Sequence, residues 1–442
     1  MPKSSCQHTD RNAVGRVCSH LLEHLDSAYT QRFTGVAKAY DLVCSQCARE
    51  PNAIDTRLIP ICLDCFQTIE REGSWEGILG SPEVLISTRT DLHFKHETVD
   101  LPELADLSIL DLQPIEGSAA SWLALTTTGS LIEIDLLRRS VRTVAQVPRD
   151  ALEFDGKFIS ETASSLLHGP HCMLRVSANG EVAAVANTYG QNGVVVDLST
   201  GQVSMRLHRD DYHEDVSAFP LALSDLDGRL VVIHGTEWNR LDVSDAKTGL
   251  LLTQRQPTSY EQGEASPPHY LDYFHCQLSV SPGQQFVADN GWVWHPLGVV
   301  TTWSLPRWLH ENVWESEDGE SKKSLCWRGY YWDGPLCWID DQRLAVWGYG
   351  RDTDWLIPAV QIFNVVNGEQ DNWFAGPKGA MAFDEYLFSF DPKEGTAVWY
   401  LATGERLLHE TGFCPTGYHR GAKHFVSVLG DGSVLVSRLV QG

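Results

Sequence analysis

From residue 83 onward, short apolar runs rich in Val, Ile and Leu alternate with turns made of Gly, Asp, Asn and Ser. One unit covers residues 174–207, where four apolar runs are separated by such turns. Runs of this length, bounded by turn residues and without helical periodicity, are typical of β-strands. The pattern therefore predicts units of four short strands each.

The end of that unit, Asp197-Leu-Ser-Thr-Gly201, recurs along the chain. Similar segments end at Gly249, Gly368 and Gly404, and a degenerate copy covers residues 131–140. Self-similarity at a spacing of about 35–50 residues, with four strands per unit, is typical of propeller blades. We predict a mainly β protein, a seven-bladed β-propeller preceded by a small zinc-finger module. The predicted blades cover residues 104–147, 170–207, 217–255, 273–309, 333–373, 378–409 and 412–439.

One strand-like segment, residues 83–88, remains outside these units. We expect it to complete the last blade, because closing the ring with both ends of the chain hides strand edges. The Asp-x-x-Thr-Gly-like turns resemble those of WD-repeat propellers, although the GH and WD dipeptides of that family are largely absent. A two-sheet β architecture is the alternative fold.

The chain ahead of the propeller carries two Cys-x-x-Cys pairs, Cys44/Cys47 and Cys62/Cys65. Each pair lets two thiolates of one tight turn bind the same ion, and four thiolates close a tetrahedral zinc shell. The second pair precedes a predicted short helix, whose N-terminus favours thiolate. The sequence therefore predicts a structural zinc site. The predicted divisions are a flexible leader (1–17), a zinc-binding module (18–80) and the propeller (81–442).

Two Cys-x-His pairs lie further upstream, Cys6/His8 and Cys18/His20, and they are further candidate zinc ligands. Four ligands suit one ion and eight suit two, and the sequence leaves both open. Over residues 18–65, the second Cys-x-His pair and both Cys-x-x-Cys pairs resemble the start of the ubiquitin-hydrolase-type zinc finger. The sequence beyond these pairs lacks the Gly-Arg and later His positions of that family. The resemblance therefore implies zinc binding and not ubiquitin recognition.

Charge and composition narrow the classes of partner. The 442-residue chain has a formal net charge of −24. Such a surface repels phosphate backbones and anionic membranes, so we expect neither nucleic acid nor membrane as a partner. No N-terminal signal segment and no membrane-spanning run is recognisable. The eleven cysteines, six of them in the first 65 residues, fit reduced cysteines in a cytoplasmic protein.

Aromatic and acidic side chains are unevenly distributed in the propeller. Eleven of the fifteen tryptophans fall between Trp292 and Trp373. We interpret most of them as packing between blades and a minority as a recognition surface. The acidic stretches 210–215 and 311–323 are interpreted as solvated loops, with binding of a cation or a basic partner as the alternative.

No nucleotide-binding or nucleophile motif is found in a suitable context, and no catalytic residue or organic cofactor is nominated. We therefore predict a scaffold protein that binds a protein partner, with zinc in a structural role. One alternative is a hydrolase or lyase with its site in the funnel of the propeller. A second is a regulator that binds a modifier protein through the finger. The oligomeric state is left open.

Overall fold

The chain forms one small β-sheet followed by seven sheets arranged as the blades of a propeller. The computed structural model describes residues 13–36, 38–50, 54–88, 91–154, 171–257, 260 and 265–442. Cys6 and His8, two candidate zinc ligands, lie outside these ranges. No helix within them is long and apolar enough to cross a membrane.

The N-terminal module, residues 13–79, is a five-stranded sheet with three short helices. Its elements are β1 (Ala13–Cys18), α1 (Ser19–Glu23), β2 (Tyr29–Phe33), β3 (Tyr40–Cys44), α2 (Ser45–Ala48), β4 (Leu58–Cys62), α3 (Leu63–Glu72) and β5 (Trp75–Leu79). The sheet order is β4-β1-β3-β2-β5. Residues 13–17, expected in the leader, belong to β1. The predicted helix after Cys65 is part of α3, which ends at Glu72 and is capped by Gly73.

Strand β6 (Leu92–Asp100) leads into the first blades. Blade 1 contains β7 (Ile109–Pro114), β8 (Ser121–Thr126), β9 (Ser130–Asp135) and β10 (Ser140–Gln146). Blade 2 contains β11 (Cys172–Val176), β12 (Val182–Asn187), β13 (Asn192–Asp197) and β14 (Gln202–His208). Blade 3 contains β15 (Leu221–Leu226), β16 (Arg229–Glu237) and β17 (Arg240–Asp245).

Blade 4 contains β18 (Phe274–Val280), β19 (Phe286–Val293) and β20 (Leu297–Ser304), then α4 (Leu305–His310), α5 (Glu315–Asp318) and β21 (Lys323–Gly329). Blade 5 contains β22 (Leu336–Trp338), β23 (Arg343–Tyr349), β24 (Ile357–Asn364) and β25 (Gln370–Ala375). Blade 6 contains β26 (Ala380–Phe383), β27 (Leu387–Asp391), β28 (Gly395–Tyr400) and β29 (Glu405–Glu410). Blade 7 contains β30 (Gly417–His419), β31 (His424–Val428) and β32 (Ser433–Gln441), and β6 completes it.

The first strands of the blades line the centre of the ring. Contacts join β30 to β7, β7 to β11, β11 to β15 and β15 to β18, and β22 likewise contacts β26. All strand pairs within the blades are antiparallel, and the apolar cores lie between neighbouring sheets. The seven predicted blades are therefore confirmed.

The ring is closed by β6, and not by the predicted strand at residues 83–88. Strand β6 pairs with β32 along its whole length, from Leu92 opposite Gln441 to Asp100 opposite Ser433. The earlier segment instead lies beside blade 6, where Ile86 forms an isolated bridge with Arg406. Closure by a strand from the N-terminal side of the propeller was expected, and β6 is such a strand. It pairs with β32 at nine positions, whereas the segment 83–88 forms a single bridge.

The recurring Asp-x-x-Thr-Gly segment is the turn between the third and fourth strands of a blade. Asp197 accepts hydrogen bonds from the N–H groups of Ser199 (2.8 Å) and Thr200 (3.3 Å). Gly201 then adopts a φ of +71°, which an L side chain rarely tolerates. The side-chain oxygen and the glycine together specify the turn. Asp245 and Asn364 accept the corresponding N–H bonds in blades 3 and 5, whereas in blade 6 Tyr400 takes that position and only Gly404 is kept.

The N-terminal module packs against blade 5 through aromatic side chains. Phe33 of β2 is 6% exposed, and its ring centroid lies 5.9 Å from that of Trp373 and 6.1 Å from that of Tyr349. Tyr349 and Trp373 are themselves stacked at 4.1 Å. The amide of Gln31 donates a hydrogen bond to the Tyr349 hydroxyl at 3.4 Å. The module is thus anchored on the ring.

The acidic stretch 311–323, interpreted from the sequence as a solvated loop, is folded onto blade 4. Its helix α5 buries Glu315 and Glu317. Glu315 accepts a hydrogen bond from the N–H of Ser321 at 2.9 Å, and Arg255 forms an ion pair with Glu317. A buried carboxylate needs such partners. The sequence did not reveal this one, because Arg255 lies 62 residues before Glu317 in the chain.

Candidate metal centre

Four side chains of the N-terminal module converge on one point. The potential ligand atoms of Cys18, His20, Cys44 and Cys47 all lie within 4.8 Å of one another. Within the described ranges this is the one group of three or more His, Cys, Asp or Glu side chains that could hold a metal ion. Cys18 and Cys47 are fully buried, and the other two are partly buried.

The topology of the sheet brings these four residues together. Strands β1 and β3 are parallel neighbours, with Val17 opposite Leu42. Their C-terminal ends therefore lie at the same edge of the sheet. Cys18 ends β1 and Cys44 ends β3, and each residue caps the short helix that follows. His20, the second ligand of the Cys-x-His pair, lies in α1, and Cys47, the second ligand of the Cys-x-x-Cys pair, lies in α2.

The distances suit a tetrahedral ion. The Nδ1 atom of His20 lies 3.5 Å from Sγ of Cys44 and 3.4 Å from Sγ of Cys47. Metal–sulfur bonds of about 2.3 Å and metal–nitrogen bonds of about 2.0–2.1 Å at tetrahedral angles give N···S separations near 3.5 Å. The cluster can therefore accept a metal ion with little movement of its ligands.

Hydrogen bonds prepare the thiols for binding. Burial raises the pKa of Cys44, but N–H groups of Cys47 and Gln46 and the Cys18 thiol outweigh it, so the net pKa of Cys44 is lowered. Burial raises the pKa of Cys18 to about 12. A bound cation reverses that preference, because it binds the thiolate and expels the proton.

Arg57 supplies positive charge beside the cluster. Its Nη1 atom lies 3.9 Å from Sγ of Cys47 and also forms a 2.9 Å ion pair with Glu50. Three thiolates around a divalent ion would leave one net negative charge, and Arg57, although paired with Glu50, would be a cation beside it. No sequence motif identified this arginine, because it is brought to the cluster by the turn that precedes β4.

The structure regroups the predicted ligands. The sequence pointed to one site formed by both Cys-x-x-Cys pairs, whereas Cys44 and Cys47 lie with the Cys-x-His pair. Strand β4 is antiparallel to β1, and Cys62 lies opposite Ala13, at the start of β1. Cys62 and Cys65 are therefore at the opposite edge of the sheet from Cys18. The useful signal in the sequence was the equal number of Cys-x-His and Cys-x-x-Cys pairs.

Comparison of the sequence with models of known protein families finds no match, and comparison with curated proteins finds none either.

Proposed function

We propose that this protein is a protein-interaction scaffold, in which the propeller is the binding platform and the N-terminal module is a metal-stabilised accessory. The propeller fold commonly serves as such a platform. The observation that supports the accessory role is the closed four-ligand cluster, of which Cys18 and Cys47 are fully buried. A catalytic metal needs an open coordination position, so a cluster of this kind favours a structural ion.

We further propose that the ion is zinc. Three thiolates and one imidazole in a tetrahedral arrangement are a donor set that zinc prefers. The apolar core of the module is small, with Leu21, Leu42 and Ile69 among its buried members. A core of this size gains a substantial part of its folding free energy from a bound metal.

A second zinc centre is proposed at Cys62 and Cys65, with Cys6 and His8 as the other ligands. Cys62 caps α3 with φ −73° and ψ 164°, close to the −71° and 163° of Cys44, so the two Cys-x-x-Cys pairs enter their helices alike. The pairing of Ala13 with Cys62 means that the chain enters β1 beside this second pair. Four residues separate His8 from Ala13, a span of at most about 18 Å between their Cα atoms.

Metal content tests these assignments. Inductively coupled plasma mass spectrometry should find two zinc ions per chain in the purified wild type. It should find one ion per chain in Cys44→Ser and one in Cys62→Ser. Cys414→Ser, in the propeller, is the control and should retain both ions. If the wild type holds a single zinc ion and Cys62→Ser retains it, the second centre is ruled out. If the wild type holds no zinc, both centres are ruled out.

Affinity capture from the native host, followed by mass spectrometry, tests the scaffold function. We expect the intact chain to retain a stoichiometric protein partner. A variant with Cys62→Ser and Cys65→Ser shows whether the N-terminal module contributes, because loss of the partner there places the contact on that module. Absence of any stoichiometric partner with the intact chain would contradict the scaffold function.

A further inference from the structure

A continuous stack of aromatic rings runs from the core to the surface where blades 3 and 4 meet. We call it the aromatic patch; its members are Tyr212, His213, Trp238, Phe274, Trp292, Trp294 and Trp332. Phe274 and Trp292 stack at 3.9 Å with their planes 4° apart, and both are buried. At the outer end, Tyr212 is 45% exposed and Trp294 is 42% exposed.

The exposed members Tyr212 and Trp294 and the partly buried Trp238 all belong to one face of the ring. Tyr212 lies in the connection from β14 to β15, Trp238 in the turn from β16 to β17, and Trp294 in the turn from β19 to β20. Because successive strands run in opposite directions, connections between the second and third strands and connections between blades emerge on the same side. The stretch 210–215, interpreted as a solvated loop, thus contributes an aromatic ring to this face.

Two partly buried carboxylates, Asp210 and Glu237, border the patch, and the arginines that act on them do so from beyond ion-pair distance. The Oδ2 atom of Asp210 accepts a hydrogen bond from the N–H of Trp238 at 3.1 Å. Its Oδ1 atom is buried and has no hydrogen-bond partner among the described residues. Glu237 is close enough to Asp210 for the two charges to interact, and burial raises the pKa of both carboxyl groups.

The nearest arginines are engaged elsewhere. Arg209 donates hydrogen bonds to backbone carbonyls, including those of Gly190 at 2.8 Å and Ser217 at 2.6 Å. Arg240 forms an ion pair with Asp242 at 3.0 Å. Neither arginine therefore forms an ion pair with Asp210 or Glu237, and both carboxyl groups keep hydrogen-bonding capacity beside the exposed aromatic rings.

We propose that the aromatic patch, with Asp210 and Glu237, is the docking surface for an arginine-bearing segment of a basic protein partner. This inference rests on the scaffold function proposed above and specifies its partner. A guanidinium group stacks on the faces of Trp and Tyr while it donates paired hydrogen bonds to a carboxylate. The net charge of −24 would also steer a basic partner toward the protein.

A peptide titration tests the proposal. The probe is a short peptide of alternating glycine and arginine, added to the full-length protein at 150 mM salt and followed by tryptophan fluorescence and calorimetry. We expect binding to weaken about tenfold in Trp294→Ala and in Glu237→Gln, as loss of one cation–π contact or one charge-assisted hydrogen bond predicts. A peptide with glutamine in place of arginine should not bind.

Two variants on the far side of the ring are matched controls. Tyr400→Ala removes an aromatic ring that is 45% exposed on blade 6, and Glu97→Gln removes an exposed carboxylate from β6. Both should bind the arginine peptide like the wild type. The proposal is overturned if the control variants bind the arginine peptide as weakly as Trp294→Ala and Glu237→Gln do. It is also overturned if the wild type does not bind the arginine peptide, or if it binds the glutamine peptide equally well.

Capture from the native host separates this proposal from the scaffold function itself. A stoichiometric partner that the wild type retains and Trp294→Ala loses supports both. If Trp294→Ala retains the same partner, the scaffold function stands and the assignment of the surface fails. If the wild type retains none although it binds the arginine peptide, the docking surface stands and the scaffold function fails.

Discussion

Burial determines the protonation state of a histidine where the last blade meets the first. His424 is fully buried, and its Nε2 atom accepts a 3.3 Å hydrogen bond from the indole N–H of Trp122. Only the neutral imidazole can accept this bond. Burial, together with the nearby Arg438 and His419, lowers the pKa of His424 to about 4.

The stability of the ring should therefore fall as the pH falls from about 6.5 to 4. In this window a histidine of the unfolded chain, with a pKa near 6.5, binds a proton that His424 of the folded chain does not. We expect the wild type to lose up to about 1.4 kcal/mol per pH unit more than His424→Gln, whose amide can accept the same hydrogen bond. Urea unfolding at pH 7, 6 and 5 measures the difference, and equal pH dependence of the two proteins would contradict it.

At the scale of elements, the backbone around the β19–β20 hairpin of blade 4 approaches so closely that some positions accept only glycine. A Cβ atom on Gly298 would lie 1.7 Å from the carbonyl oxygen of Tyr331, and one on Gly291 would lie 2.1 Å from that of Phe274. In both cases the obstacle is backbone, which cannot rotate away. The β19–β20 hairpin therefore owes its position to the absence of two side chains.

Gly298→Ala should destabilise the protein by at least about 3 kcal/mol, because the backbone of the following blade connection must shift. Gly430→Ala is the matched control, since no atom lies within 4 Å of a Cβ placed there. Thermal unfolding followed by circular dichroism should show a clearly lower Tm for the first variant and nearly the wild-type Tm for the second. Similar Tm values for both variants would mean that the hairpin can relax.

The strands of the blades could be predicted from the sequence because their determinants are local. Alternation and turn residues specify a strand, and the Asp197–Gly201 turn carries its own hydrogen-bond acceptor. The partner of a strand is not a local property. For this reason β6 was missed as the closing strand, and the buried state of Glu315 and Glu317 was missed as well.

The metal site shows the same limit at the scale of the whole molecule. The ligand residues could be nominated, since Cys-x-x-Cys and Cys-x-His spacings are local. Their grouping depended on β1 being parallel to β3 and antiparallel to β4, which spacing does not encode. The packing of the N-terminal module on blade 5 was likewise invisible in the sequence, because Phe33 and Trp373 are far apart along the chain.

That packing predicts that the module and blade 5 are energetically coupled. Phe33→Ala should weaken the interface and increase amide hydrogen exchange in β24 and β25, with metal content unchanged, because the cluster lies on other residues. Val36→Ala, at a position of the module that is 66% exposed, is the control. If the increase in exchange is confined to the module, the contact with blade 5 contributes little stability.

The pairing of β6 with β32 also sets an order of events during synthesis. Strand β6 leaves the ribosome roughly 330 residues before β32, which at about 5–20 residues per second is a delay of roughly 15 seconds to a minute. The N-terminal module, complete at Leu79, has that time to fold before the ring can close. Until β32 is made, β6 lacks its partner strand, and its charged side chains Lys95, Glu97 and Asp100 discourage pairing with other nascent chains.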